Sequence, residues 1–225
     1  MTGKQGRYVA VSGPIGVGKT FLAKSLSRRM RAHFEAEVFE QNPFLEKLYE
    51  PGGIERWGLA CEMSFLPPRL AQLDVIRSRL VEGEDVVADW TPYQNLVFSQ
   101  VTLTESDFQL YKAVFERLTE GFPQPDLVVL LDAPVPTLMD RIRSRGRDME
   151  SDMSPAYLMD LREGFRTWSV DAPVPVLPLD TRNLPIPTSL AVRKDVLDRI
   201  ERTLEEIIGR GRNPRSTGTV AGLSR

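Results

Sequence analysis

Gly13-Pro14-Ile15-Gly16-Val17-Gly18-Lys19-Thr20 decides the fold. Its spacing is G-x-x-x-x-G-K-[ST], a loop that cradles phosphate. Tyr8-Val9-Ala10-Val11 before it reads as a buried strand, apolar and partly β-branched. Phe21 to Phe34 after it reads as a helix, with Leu22, Leu26 and Met30 four apart on one face. Gly13, Gly16 and Gly18 allow the backbone to curl so that its N–H groups converge on anionic oxygens. The positive end of the helix adds to that field. In such a loop Lys19 reaches the β- and γ-phosphates of ATP, and the Thr20 hydroxyl ligates Mg²⁺.

Outward from the loop, strand signals alternate with helix signals. Ala36 to Glu40, Glu84 to Asp89, Asp126 to Asp132 and Val174 to Leu179 read as further strands. This order predicts an α/β fold, a parallel five-stranded sheet flanked by helices. Thr104 and Ser154-Pro155 read as helix starts. Pro67-Pro68 interrupts a helical stretch from Ile54 to Glu82 and predicts a kink or break near Phe65. Leu190 to Ile208 reads as the last helix. Residues 1–208 then form one domain, and 209–225, rich in Gly, Ser, Thr and Arg, read as a disordered tail.

The chain has 225 residues, enough to bury a core without staples, and one cysteine, Cys61, so it forms no internal disulfide. That usage predicts a reducing, cytoplasmic setting. A net charge of −2 gives no general attraction to nucleic acid or membrane. No apolar run reaches the ~18 residues of a membrane span, and the first residues lack the apolar core of a signal peptide.

Ligands of a parallel sheet bind beyond the carboxyl ends of its strands. Glu40, Asp89 and Asp132 fall there. The guanine-reading N-K-x-D of a switch GTPase is absent. Arg141, Arg145 and Arg147 cluster in R-I-R-S-R-G-R and read as a lid able to close over transferring phosphate. A solvated basic helix end is the plainer reading of the same residues.

Together these stretches carry a family resemblance. GPIGVGKT, FEQNPFLEKLYE, ERWGLACEMSFLPPR, PDLVVLLDAP and RIRSRGRDMESDMSPAYLMDLREGF make the chain similar to deoxynucleoside kinases of the bacterial deoxyadenosine/deoxyguanosine type, over roughly residues 8 to 181. The resemblance implies transfer of the γ-phosphate of ATP to the 5′-hydroxyl of a deoxynucleoside, in nucleotide salvage. It implies Glu40 as general base, Asp89 holding Mg²⁺ beside Thr20, and Tyr49 and Glu150 on the sugar 3′-hydroxyl. Glu62, Arg69 and Asn95 would face the base, and Arg141, Arg145 and Arg147 the phosphates. Family members are usually homodimers.

Two positions depart from the pattern. Many relatives have Glu/Asp-Arg-Ser where this chain has Asp89-Trp90-Thr91. Trp90 would wall the pocket, and a cation would come from elsewhere, the lid arginines being candidates. Glu62 stands where glutamine is common. An ionised carboxylate only accepts hydrogen bonds, which matches the adjacent N1–H and 2-amino donors of guanine. Arg69 could then bond guanine O6 and N7. These residues point to a purine, with deoxyguanosine favoured. A nucleoside monophosphate kinase of the thymidylate type and a nucleotide-binding regulator without turnover are the competing readings.

Overall fold

The computed structural model describes residues 5–150, 152–182, 184 and 186–209. The expected disordered tail therefore lies outside the described residues, Gly209 excepted.

Five parallel strands form one sheet in the order β2-β3-β1-β4-β5. They are β1 (Tyr8–Ser12), β2 (His33–Glu35), β3 (Val86–Ala88), β4 (Leu127–Asp132) and β5 (Val176–Asp180). The central strand β1 is buried at every residue. Its register sets Ala10 against Ala88 on one side and Val128 on the other. Such strands are buried on both faces, which is why they read as unbroken apolar runs.

Around the sheet lie α1 (Lys19–Met30), α2 (Leu45–Tyr49), α3 (Gly53–Val81), α4 (Pro92–Thr102), α5 (Glu105–Thr119), α6 (Val135–Arg145), α7 (Pro155–Val170) and α8 (Leu190–Gly209). One face of the sheet packs on Leu22, Leu26, Leu138, Leu158, Ile200 and Leu204. The other packs on Leu73, Ile76, Leu80, Val97, Phe165 and Trp168. Each such side chain, fully buried, contributes roughly 1.5–3 kcal/mol. The two expected helix starts hold: Thr104 Oγ1 accepts from Asp107 N, and Ser154 Oγ from Ala156 N.

Three boundaries differ from the sequence reading. First, α1 ends at Met30, closed by Arg31 in the left-handed region at φ 55°. The chain then joins the sheet edge at once, as His33 N donates to Asp85 O at 2.8 Å. The second strand is therefore His33–Glu35 and not Ala36 to Glu40. Second, α3 runs unbroken through Pro67 and Pro68. Prolines there leave the Met63 and Ser64 carbonyls without amide donors. Buried Leu66, Arg69, Leu73 and Ile76 hold the helix against the sheet on either side of that gap. Third, β3 is shorter than Glu84 to Asp89. It frees Asp89 to turn its carboxylate into the site.

Candidate active site

A cleft of about 410 Å³ opens at the carboxyl edge of the sheet. Gly16, Gly18, Lys19 and Thr20 line one end, and Glu62, Phe65, Arg69 and Asn95 the other. The phosphate loop is built by its glycines. A Cβ on Gly13, at φ +137°, would lie 2.4 Å from Leu131 O, and one on Gly16 would lie 2.8 Å from Ile142 Cγ1. Gly13 thus shapes the turn without lining the cleft. Lys19 Nζ folds back onto Gly13 O at 2.9 Å and Pro14 O at 3.2 Å. Burial holds its ammonium below the usual lysine range.

Asp89, just past β3, ties two loops together. Its Oδ2 accepts from Thr20 Oγ1 at 2.6 Å, and its Oδ1 from Glu37 N at 2.6 Å. A hydroxyl and a carboxylate converging at the start of a phosphate loop are the oxygen donors that Mg²⁺ takes. The glycine cradle and this pair fit an ATP–Mg²⁺ complex, which would supply the phosphoryl group and charge neutralisation. Among the described residues there is no group of three or more His, Cys, Asp or Glu placed to hold a metal alone.

Beside Asp89, Glu37 also lines the cleft, and the sequence reading missed it. Its Oε1 accepts from Gln94 Nε2 at 2.8 Å and from Arg69 Nη2. Glu40 is a correction: it is exposed and does not line the cleft. The reason is local. The strand stops at Glu35, the Asp89 carboxylate draws in the amide of Glu37, and a turn closes with Asn42 N donating to Phe39 O. Asn42 Oδ1 then accepts from Phe44 N at 3.0 Å. This carries Glu40 out to the surface.

At the far end, Glu62 is buried among Cys61, Tyr111, Tyr157, Tyr49 and Arg69. Desolvation pushes its carboxyl up to about 8, against a hydrogen bond from Thr102 and the Arg69 charge, which pull it down. Asn95 Nδ2 lies 3.4 Å from Tyr111 Oη, while its buried Oδ1 has no partner among the described residues. Tyr49 and Tyr157 meet edge-on with ring centroids 6.2 Å apart, both lining the cleft. Tyr157 was not singled out in the sequence. Its signal there, a tyrosine three residues after a serine cap, is indistinguishable from core.

The arginines divide. Arg145 and Arg147 both pair with the buried carboxylate of Glu150, and Arg147 also lies 4.6 Å over the Phe39 ring. Arg141 is anchored instead. It donates to Val17 O at 3.2 Å and to Thr181 Oγ1 and O at 3.0 and 2.9 Å. It braces the phosphate loop against the segment after β5, and so is not a free member of a lid. One more expectation is corrected: Trp90 is wholly buried behind the cleft and does not wall it. Arg69 lines the cleft with Glu62 and Asn95, and its Nη2 is taken up by the Glu37 carboxylate.

A phosphate loop that follows the first strand of a 2-3-1-4-5 parallel sheet, with an acid held opposite it, defines the class of phosphate-loop kinases acting on small molecules. Within that class, the deoxynucleoside kinase family profile matches residues 9–205, and the chain belongs to this family. Deoxyguanosine kinase of Bacillus subtilis is 37% identical over 155 residues, covering 68% of this chain and 74% of that one. Deoxyadenosine/deoxycytidine kinase of the same organism is 28% identical over 165 residues, covering 71% and 75%. The solved structure of deoxyadenosine kinase from M. mycoides with bound dCTP shares the fold at a TM-score of 0.71 and 19% identity, over 88% of this chain and 99% of that one. No described helix is long and apolar enough to cross a membrane.

Proposed function

We propose that the chain transfers the γ-phosphate of ATP, as its Mg²⁺ complex, to the 5′-hydroxyl of a purine deoxynucleoside, with deoxyguanosine favoured. The observation that carries this reading is the Glu37 carboxylate, held by Gln94 and Arg69 inside the cleft that the phosphate loop opens. A carboxylate so placed takes the proton of the attacking hydroxyl as general base, an effect typically worth ~10²–10⁴ in rate. Lys19 and the loop amides hold the triphosphate, and Thr20 and Asp89 hold the cation. Arg145 and Arg147 supply positive charge where negative charge lies on the transferring group.

Tyr49 and Glu150 face the sugar, and Glu62 and Asn95 the base. Asn95 Oδ1, without a partner among the described residues, calls for a donor, as does Glu62 once ionised. Guanine offers two donors side by side. The high identity to a deoxyguanosine kinase supports the same preference. A homodimer in the cytoplasm is the setting that the family resemblance favours. Transfer from ATP–Mg²⁺ to the four deoxynucleosides, their ribonucleosides and their monophosphates tests the reading. Turnover on deoxyguanosine is expected. Turnover on monophosphates alone would move the chain to the thymidylate-type reading, and ATP binding without transfer would make it a regulator.

A further inference from the structure

Trp90 follows Asp89 at the end of β3 and is completely buried. It stands where the deoxynucleoside cleft meets the sheet, yet it does not touch the cleft. Its indole nitrogen has no partner among the described residues. A buried tryptophan usually finds one, so the N–H does not account for an indole here. The ring faces do. The Arg69 guanidinium lies with its Cζ 4.4 Å from the Trp90 ring centroid, and the Phe65 ring lies 5.7 Å from the same Cζ.

Arg69 is itself buried, and its own Nε is also without a partner among the described residues. Its two terminal nitrogens go elsewhere. Nη2 donates to Glu37 Oε1, and Nη1 reaches Gln72 Oε1 at 3.4 Å. A guanidinium so desolvated is attracted to an aromatic face more strongly than one in water. It is also flat, so an aromatic face can select the plane in which its fork points.

We propose that Trp90 is a positioning residue for phosphoryl transfer: its ring sets the plane of the Arg69 guanidinium, which in turn aims the Glu37 carboxylate at the acceptor hydroxyl. The inference rests on Glu37 acting as the base, as proposed above. It assigns the departure at Trp90 a role. The cation that steadies the acid comes from α3, two turns beyond Glu62, and the segment after β3 supplies the platform on which that cation lies. Gln94, in the first turn of α4, holds the same carboxylate oxygen at 2.8 Å.

The test is a double-mutant cycle read in kcat. Wild type, Trp90→Leu, Arg69→Lys and the double variant are assayed on deoxyguanosine with saturating ATP–Mg²⁺. Trp90→Phe, ATP affinity and thermal midpoint are measured alongside. Trp90→Leu is expected to lower kcat by about tenfold or more while ATP affinity holds, since small displacements of a catalytic group are costly. Trp90→Phe recovers most of that loss, because it keeps a face and gives up only an unbonded N–H. In the Arg69→Lys background, where the planar stack is gone, Trp90→Leu should cost less than about twofold further.

An equal loss in both backgrounds would overturn the proposal and make Trp90 ordinary packing, as would an unchanged kcat in Trp90→Leu. Should the leucine variant not fold, Trp90→Met, of similar volume but unbranched and flexible enough to fill an irregular gap, carries the same comparison. A wild-type protein that turns over no acceptor would instead remove the kinase reading on which the inference stands.

Discussion

Gln94 and Glu37 are joined by a 2.8 Å hydrogen bond between α4 and the loop after β2. Arg69 reaches the same oxygen from α3. Two donors on one oxygen leave the other free to accept a proton from the substrate. The acid is thereby fixed in direction, which a general base requires.

Glu37→Gln keeps the shape and both donors' partner while removing basicity. It should lower kcat by roughly 10²–10⁴ with ATP binding intact. Glu40→Gln, at an exposed turn, should stay within about threefold of wild type, as surface substitutions do. Steady-state kinetics and ATP titration of the two variants check both statements. Equal losses in the pair would return the role to Glu40.

The Glu62 carboxyl, raised to about 8 by desolvation, gives two pH signatures. Below that value it is protonated, and it can donate to adenine N1 while accepting from the 6-amino group. Above it, the carboxylate accepts both guanine donors. The ratio of kcat/KM for deoxyguanosine over deoxyadenosine should therefore rise between pH 6.5 and 9, about as that titration dictates. A flat ratio, or one unchanged in Glu62→Gln, would sink the assignment.

The second signature is stability. The folded protein holds a proton on Glu62 that the unfolded chain releases near the ordinary glutamate value of 4.5. The group's contribution is most favourable below that value and is lost as pH rises through about 8. Thermal midpoints of wild type should fall relative to Glu62→Gln across this window, and the gap should level off above it.

Arg141→Ala and Arg145→Ala should behave differently. Arg141 bonds the backbone of the phosphate loop and of Thr181, so its loss should destabilise the fold by about 1–3 kcal/mol. Arg145 pairs with Glu150 at the mouth of the cleft. Its loss should lower kcat by about tenfold or more, and should lower the thermal midpoint less than the loss of Arg141 does, because Arg147 still pairs with Glu150. Thermal melts set beside kinetics separate the two.

The division between what the sequence told and what it hid follows from chemistry. The phosphate loop was legible because its geometry admits few residues: glycines where a Cβ would strike Leu131 or Ile142, and a lysine and threonine at fixed spacing. The apolar strands were legible because burial on both faces leaves continuous runs. His33-Phe34-Glu35 was not, since an edge strand of half-buried residues has neither run nor alternation. Ala36 to Glu40 mimicked a strand better than the real one did, and the error moved the acid by three places. The cation–π contact of Arg69 over Trp90 joins residues distant in the chain, a pairing that no local spacing announces.

Asp89 has a consequence for how the cleft keeps its dimensions. β3 lies between β2 and β1 in the sheet, and strands sit ~4.7–4.9 Å apart. One carboxylate at the tip of the middle strand grips Thr20 on one flank and the Glu37 amide on the other. The gap between the phosphate loop and the acid proposed to receive the hydroxyl proton is thus inherited from the spacing of backbone ladders. Neither flank can drift without breaking a bond to the same residue, so the two halves of the reaction share one ruler.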